Sequence, residues 1–313
     1  MARRKKGNPI NGWINLHKPV GMTSNQALGK VKWLLKPQKA GHAGTLDPLA
    51  SGVLPIALGE ATKTVPYIQD AMKTYRFTVT WGEQRATDDA EGEIIAQSDA
   101  RPTREAIDAL LPQFIGDIEQ TPPQFSAIKI NGERAYDLAR DGETVEIAAR
   151  PVYIEALEII NHSADATAFE CFCGKGTYVR SIARDLGRKL GCFGYISLLE
   201  RTAVGGMTLD NAISLDFFEN LGDNPPNECD YLMPLTTALD DIPVLALKDE
   251  EAARLKNGNA LLFVSRPDQD RLARIGLDGN NQGEIALATC DGKALAMLSL
   301  DGPEVKPVRI FNF

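Results

Sequence analysis

Along this chain, segments whose apolar residues recur at every second position are interleaved with segments where they recur at every third or fourth, and the interleaving has no regular strand–helix–strand rhythm. "TYRFTVTW" (74–81) alternates as a half-buried strand does, and "GWINL" (12–16) reads as a shorter one. "TSNQALGKVKWLL" (23–35) opens on a Thr or Ser N-cap and continues with helical spacing, and "TREAIDALLPQF" (103–114) reads as a second capped helix. "SAIKINGERAY" (126–136) reads as a hairpin around Asn131-Gly132, a pair that tolerates the positive backbone angles of a tight turn. "FECFCGKGTYVRSIARDLGRKLG" (169–191) is a strand, a glycine turn and a helix. Such irregular alternation predicts an α+β fold rather than a doubly wound sheet. Near "LDDIPVLALKDEE" the composition shifts, and "RLARIGL", "GEIALATCDGKALAMLSL" and "VKPVRIF" read as a small set of strands with turns at Asp278-Gly279 and Asp291-Gly292. A compact β-rich unit is therefore expected from about 246 to 313.

With 313 residues, 43% of them hydrophobic, the chain can bury one large core and one small one. No apolar run approaches the roughly 18 residues of a membrane span, and "MARRKKGNPI" carries no apolar stretch behind its charges, so a cytoplasmic protein is expected. The five cysteines are scattered, with Cys171 and Cys173 the closest pair, which suits neither a disulfide framework nor a zinc knuckle. Only three histidines occur (His17, His42, His162), and no HExxH or CxxC pattern, so no metal site is expected. The chemistry must rest on carboxylates, hydroxyls, phenols and basic groups.

The net charge of −8 argues by itself against a nucleic-acid partner, but its distribution argues for one. The first acidic residue is Asp47, preceded by Arg3, Arg4, Lys5, Lys6, Lys18, Lys30, Lys32, Lys36 and Lys39. From Thr208 to Glu251 the balance inverts, with Lys248 the only basic residue. A polyanion can meet a local positive field on an acidic protein. Residues 1–11 are expected to be a basic flexible tail, which could equally be a solubilising one.

One stretch sets Asp47 among small and apolar residues: "AGHAGTLDPLASGVLPIALGEATK" (40–63). Its glycines at 41, 44, 52 and 59 permit tight turns and close backbone approach. It is neither a Walker loop nor a dinucleotide fingerprint, lacking both the Lys-Ser/Thr after the last glycine and GxGxxG. Taken alone it also reads as a Gly-rich turn that happens to carry an Asp.

This run closely resembles the motif carrying the catalytic aspartate of the TruB family, the tRNA pseudouridine synthases that isomerise uridine 55 of the TΨC loop. Other pieces match in the same order: "LHKPVGMTSNQAL" the Lys-Pro-x-Gly segment, "KTYRFTV" the tyrosine strand, "SAIKINGERAYDLAR" the RNA-binding thumb, "GKGTYVRSIARDLG" the arginine motif and "LLERTAVG" the segment closing the pocket. The match runs from about Gly12 to Gly205, with one departure, "QRATDDAEG", in place of the family's Thr-Asp-Thr before its next Asp. The resemblance implies the pseudouridine synthase fold, α+β with a mixed, mainly antiparallel sheet, over 12–245, with a thumb at about 124–150. It also implies a PUA-like RNA-binding domain over 246–313.

It further implies that Asp47 is the nucleophile, attacking C1′ of the ribose or C6 of the base, or acting as the base in an elimination to a glycal. Glycoside hydrolysis takes two carboxyl groups, but an isomerisation that detaches, turns and rejoins uracil needs no water, so one carboxylate can suffice. A carboxylate in apolar surroundings takes up a proton unless a cation pairs with it. Arg180 is that cation by the arginine motif, expected to bind through two parallel hydrogen bonds, while Arg184 and Arg188 read as a solvated basic helix face. Tyr75 is expected to stack on the flipped uracil and to take a proton from C5; on strand periodicity alone it is as easily core. His42 is carried over as a contact near the space the flipped base vacates, with Tyr178 and Leu199 completing the pocket. Candidate RNA contacts are Lys18, Lys63, Lys129, Arg134 and Arg140, with Tyr136 for stacking. No cofactor, metal, guide RNA or membrane is expected, and the protein reads as a monomer acting on the TΨC stem-loop of tRNA. Two rival readings are a catalytically inactive tRNA-binding chaperone and a guide-RNA-dependent synthase of the dyskerin type.

Overall fold

The computed structural model describes residues 7–126, 128–130, 133–134, 146–220, 231–277 and 282–313, with residues 129–130 and 133–134 described by their backbone alone. The larger sheet has ten strands. Its main path runs through β1 (Gly12–Lys18), β2 (Ser51–Leu58), β3 (Lys73–Trp81), β4 (Gly116–Gln120), β5 (Arg150–His162), β6 (Ala166–Cys173), β7 (Gly194–Val204) and β8 (Ile213–Ser214) in the spatial order β8-β1-β2-β7-β3-β6-β5-β4. Two short strands, Ala40–His42 and Met207–Thr208, pair with β2 and β7. Within this sheet, among the described residues, only β8 with β1 and β7 with β2 run parallel, so the expected mixed, mainly antiparallel sheet of an α+β fold is what the chain adopts.

Among the helices packed on or beside this sheet are α1 (Ser24–Leu35), α2 (Arg104–Leu110) and α3 (Val179–Lys189). Thr23 caps α1 with a capping box to Gln26, and Ala27, Val31 and Leu35 form its buried stripe. Thr103 caps α2, which tightens into a 3₁₀ turn over Leu111–Phe114, where Pro112 cannot continue an α-helical ladder. The core includes Ile14, Leu54, Ile56, Phe77, Phe169 and Ile182, all at most 2% exposed.

The C-terminal part forms a five-stranded sheet, ordered β9-β11-β12-β13-β10, from β9 (Val244–Ala246), β10 (Leu261–Leu262), β11 (Gln282–Cys290), β12 (Lys293–Asp301) and β13 (Glu304–Ile310). This is the PUA-like unit, and its sheet begins at Val244 rather than 246. Asp291 and Gly292, at φ 50° and 72°, make the expected turn between β11 and β12. Asp278-Gly279 and Asn131-Gly132 lie outside the described residues, although Lys129–Ile130 does pair with Glu133–Arg134 as a hairpin requires.

Two expectations are corrected here. "RLARIGL" is not a strand: Ser265 caps a helix, α4 (Arg266–Ala273), and the segment is its last turn and exit. Leu272 and Ile275 sit three apart, a helical spacing that a short apolar run does not distinguish from alternation. Residues 7–11 are not tail-like either. The Asn8 N–H donates to Lys36 O at 2.7 Å, the Asn11 side chain accepts from Glu60 N at 2.8 Å, and Ile10 is buried.

The two sheets share an apolar cluster in which Trp13, Val53, Ala57 and Met207 meet Leu287, Met297 and Phe311. Beside it Lys63 donates to Ile310 O at 2.7 Å, and Asn312 N donates to Glu60 at 2.8 Å. Lys63 is therefore committed to the contact between the sheets, and this replaces its expected role against RNA.

Gly52 lies where β2 approaches β7. It has φ +103°, and a Cβ there would meet Arg201 O at 2.2 Å, a backbone atom that cannot swing away. Gly21, at φ +81°, faces open space. We expect Gly52→Ala to lower unfolding free energy by about 3 kcal/mol and Gly21→Ala by about 1 kcal/mol, since the first adds overpacking to backbone strain. Urea denaturation measures both, and equal losses would remove the steric argument.

Candidate active site

Asp47 sits on the loop between the Ala40–His42 strand and β2, and its anchor is a neighbour. The buried Ser24 hydroxyl, in the first turn of α1, donates to Leu46 O at 3.0 Å and accepts from Leu46 N at 2.8 Å. Gly21 N donates to Pro48 O at 2.8 Å, and Ala50 N to Asp47 O at 3.1 Å. The backbone on both sides of Asp47 is thus tied down, leaving its carboxylate at the wall of a cavity of about 740 Å³. Thr45, Tyr75, Phe125, Tyr178, Arg180 and Leu199 also line this cavity.

Arg180 lies in the first turn of α3. Gln120, on β4, fixes that turn by accepting from Tyr178 N at 2.8 Å and donating to Tyr178 O at 3.2 Å. The guanidinium is almost wholly buried and every face of it is used. Its Nε meets Asp47 Oδ2 at 2.9 Å, Nη1 donates to Thr87 O at 2.9 Å and Nη2 to Phe125 O at 3.0 Å, while Asp89 Oδ2 stands 3.6 Å from Nη1. The expected pairing with Asp47 is present, made through Nε. Both terminal nitrogens also donate to backbone carbonyls, so the guanidinium is shared between Asp47 and the chain.

Register builds the opposite wall. On β7 and β3, Arg201 lies directly across from Tyr75, and Leu199 across from Phe77, so Leu199, Arg201 and Tyr75 share the cavity side. Arg201 is 1% exposed, its Nε donating to Val53 O at 2.8 Å and its Nη2 to Gly44 O at 3.0 Å. The half-buried Tyr75 phenol has its pKa raised by burial, an effect that Arg201 beside it opposes. Burial raises the Tyr178 phenol too, with Arg180 opposing and Asp47 adding to the rise. Lys73, also lining the cavity, is lowered to about 8, chiefly by burial and then by Arg201, and its ammonium donates to Gln69 O and Ala71 O. His42 stands beside the lining rather than in it. Burial and Arg201 lower its pKa, and its Nδ1 is buried without a partner among the described residues.

Other expected residues fall elsewhere. Lys18 is fully buried, donating to Pro19 O at 2.8 Å and Met22 O at 2.6 Å, and burial lowers its pKa to about 8 despite the pull of Asp47. An ammonium held by two inward carbonyls braces the Lys-Pro-x-Gly turn and is not offered to phosphate. Arg188 is exposed as expected, but Arg184 is not solvated: its Nη1 meets Asp88 Oδ2 at 3.1 Å, its Nε meets Asp185 Oδ1 at 2.8 Å, and its Nη2 donates to Thr121 O at 2.7 Å. The side chains of Lys129 and Arg134 are not described, and Tyr136 and Arg140 lie outside the described residues.

Sequence reasoning missed Arg201, Lys73, Asp88 and Asp89. The departing segment "QRATDDAEG" supplies the last two, both buried, so the polar support there comes from carboxylates. Asp88 is raised to about 6 because burial outweighs the attraction of Arg184, Arg180 and Arg188. For Arg201 the available signal was a charge two residues from Leu199 on the same strand face.

Arg180→Lys keeps one charge but cannot serve Asp47, Thr87 O and Phe125 O together. We expect turnover to fall by at least about a hundredfold while the fold persists, because displacing a reacting group by about 1 Å costs that much. Normal turnover of the Lys variant, with an unchanged circular dichroism spectrum, would dissociate Arg180 from the positioning of Asp47.

The geometry accords with what the chain is similar to. The sequence model of the TruB family pseudouridylate synthase (N terminal domain) matches residues 32–179. A "tRNA pseudouridine synthase B" of Mesorhizobium japonicum is 49% identical, the alignment covering 99% of each chain. One from Nitrobacter winogradskyi is 52% identical over 99% of this chain and 85% of its own. Among solved structures, a Cbf5-Nop10-Gar1 complex contains a chain that superposes with TM-score 0.71 at 23% identity, covering 96% of this chain and 84% of that one. A chain in an H/ACA RNP bound to a substrate RNA containing 2′-deoxyuridine gives 0.72 at 21%, covering 100% and 92%. These two share the fold. The half-identical relatives, aligned over essentially the full length of this sequence, show more: the chain belongs to the TruB family of pseudouridylate synthases.

Proposed function

We propose that this enzyme converts uridine to pseudouridine at position 55 in the TΨC loop of tRNA, with Asp47 as nucleophile and without a cofactor or guide RNA. The observation that carries the reading is the Asp47–Arg180 contact of 2.9 Å at the wall of the cavity, with a buried cation holding one carboxylate where an extruded base can reach it. The N1–C1′ bond of uridine breaks, the uracil turns, C5 bonds to C1′, the C5 proton leaves, and the freed N1 takes up a proton. Product and substrate have the same composition, so no water or second carboxylate is consumed. Asp47 attack at C1′, attack at C6, and elimination to a glycal all fit this balance.

Tyr75 offers a ring for stacking beneath the base. Arg201 stands directly across from it and opposes the burial-driven rise of the phenol, which is the group we assign to receive the C5 proton. Tyr178 and Leu199 close the cavity around the ring, and His42, beside the lining, is assigned to the RNA loop near the position the flipped base vacates. The unit over 12–245 carries the chemistry, and the PUA-like unit grips RNA away from the target. The protein works as a cytoplasmic monomer. The full set of Asp47, Arg180 and Tyr75 around one cavity favours an active enzyme over an inactive chaperone.

A tRNA transcript tritiated at uracil C5 tests the proposal, because pseudouridine formation releases that hydrogen to water. We expect release by the parent protein on naked tRNA, with the modified nucleotide mapping to the TΨC loop. For Asp47→Asn, release should fall to background while tRNA binding persists. Parent-like turnover by that variant would end the assignment of Asp47, and a requirement for a guide RNA would move the protein to the other mode of action.

A further inference from the structure

Trp33 is 74% exposed, although a helix in its position needs no further apolar side chain: Ser24, Ala27, Val31 and Leu35 already supply the buried stripe of α1. The outer face carries Gly29, Lys32, Trp33 and Lys36, spaced i, i+3, i+4 and i+7, so they form one continuous strip. Lys39 extends it past the helix end. Among the described residues no ion pair neutralises Lys32, Lys36 or Lys39, whereas Lys30, around the helix, is matched by Glu219 at 2.6 Å. No Asp or Glu occurs in the first 46 residues. Lysines at a helix C-terminus complement its dipole, which accounts for Lys32 and Lys36 but not for an indole held in water between them.

Two further contacts place the strip. At its far end the chain runs against α1: Asn8 N donates to Lys36 O at 2.7 Å and Asn8 Nδ2 to Leu35 O at 2.8 Å. On the opposite, buried stripe of the same helix, Ser24 holds Leu46, the neighbour of Asp47. A helix of 12 residues spans about 18 Å, so Lys36 at its C-terminal end stands about that far along the helix axis from Ser24 and the loop it holds.

We propose that the outer face of α1, with Lys39, binds the phosphate backbone of the substrate RNA at a place remote from the target nucleotide, and that Trp33 is a stacking platform for a base or ribose there. This rests on the reading of the protein as a tRNA-modifying enzyme. Unpaired like charges along one helix face repel one another, and a polyanion relieves this while releasing its counterions. An aromatic ring among lysines supplies the sequence-tolerant part of single-strand binding. An acidic protein surface would satisfy the charge as well. RNA is the occupant the side chains favour, because it alone offers phosphates to the unpaired lysines and a base or ribose to the exposed indole between them.

The test compares the parent with Lys32→Gln/Lys36→Gln and with Trp33→Ala on two RNAs: a full-length tRNA transcript and a hairpin carrying only the target stem and loop. Binding is titrated at several salt concentrations, and tritium release is measured at saturating RNA. On full-length tRNA the double variant should bind roughly tenfold more weakly, with the log–log salt slope smaller by about 1.5 to 2. Trp33→Ala should weaken binding by about five- to tenfold with an unchanged slope. Hairpin binding and the saturated rate should stay at parent values, as should the urea midpoints. Unchanged tRNA affinity and slope would overturn the proposal and leave the strip to an acidic protein or to solvent. Equal losses on both RNAs would also overturn it, since the contacts would then lie within the footprint of the hairpin. Should the parent release no tritium, the isomerase reading fails instead, and the salt titration still judges the strip.

Discussion

The buried guanidinium of Arg180 is the constraint around which the site is organised. A permanent cation removed from water must find acceptors for its donors, and this one finds them on three segments distant in sequence: Asp47, Thr87 O and Phe125 O, with Asp89 close by. Each partner is in turn fixed elsewhere. The Asp47 loop is tied to α1 through Ser24, the first turn of α3 to β4 through Gln120, and Asp89 accepts from Thr87 Oγ1 and from Glu91 N at 3.1 Å. Displacing any one of these segments leaves a buried donor unpaired. The placement of the Asp47 carboxylate and the packing of the loops are therefore one problem with one solution.

A second layer of ion pairs stands behind the first. Arg184, one turn along α3 from Arg180, binds Asp88 and Asp185, and Asp88 O accepts from Ile196 N at 3.1 Å, stitching the same segment to β7. Asp88 takes a left-handed conformation at φ 61°, a strained position for a side chain of this kind that persists because the pairs on both sides determine it. Adjacent carboxylates thus serve adjacent arginines of one helix, Asp89 toward Arg180 and Asp88 toward Arg184. This arrangement explains why two acidic residues stand together in "QRATDDAEG".

What was legible in the sequence was what depends on local order. Asp47, Arg180, Tyr75, Tyr178 and Leu199 sit in contiguous motifs, and the structure gathers them around one cavity. Capped helices such as α1, and alternating strands such as β3, follow from the period of their apolar residues. Facts of register and burial were not legible. Arg201 enters the cavity only because β7 pairs with β3 so as to set it across from Tyr75, a relation between residues 126 positions apart. Arg184 and Arg188 differ by one helical turn, yet one is buried in ion pairs and the other exposed, because the loop carrying Asp88 covers only the first. "RLARIGL" was misread because four apolar positions in seven fit either period, and the decision rested on the cap at Ser265, outside the segment.

Charge, counted along the chain, hides a similar division. The basic residues between Lys18 and Lys39 look alike in the sequence, yet three physical fates separate them. Lys18 is buried against backbone carbonyls, where removing its charge from water is offset by inward hydrogen bonds, and it braces a turn. Lys30 is joined to Glu219, so that the acidic stretch after Thr208 clamps the basic helix through an exposed ion pair. Such a pair contributes at most about 1 kcal/mol but cancels the local field. Lys32, Lys36 and Lys39 keep that field. The net charge of −8 belongs to the whole chain, whereas an approaching polyanion responds to potentials within about a Debye length of 8–10 Å, where only the unpaired residues count. An acidic protein can in this way present a basic face, because its carboxylates are spent on buried arginines around the active site or gathered in a different part of the chain.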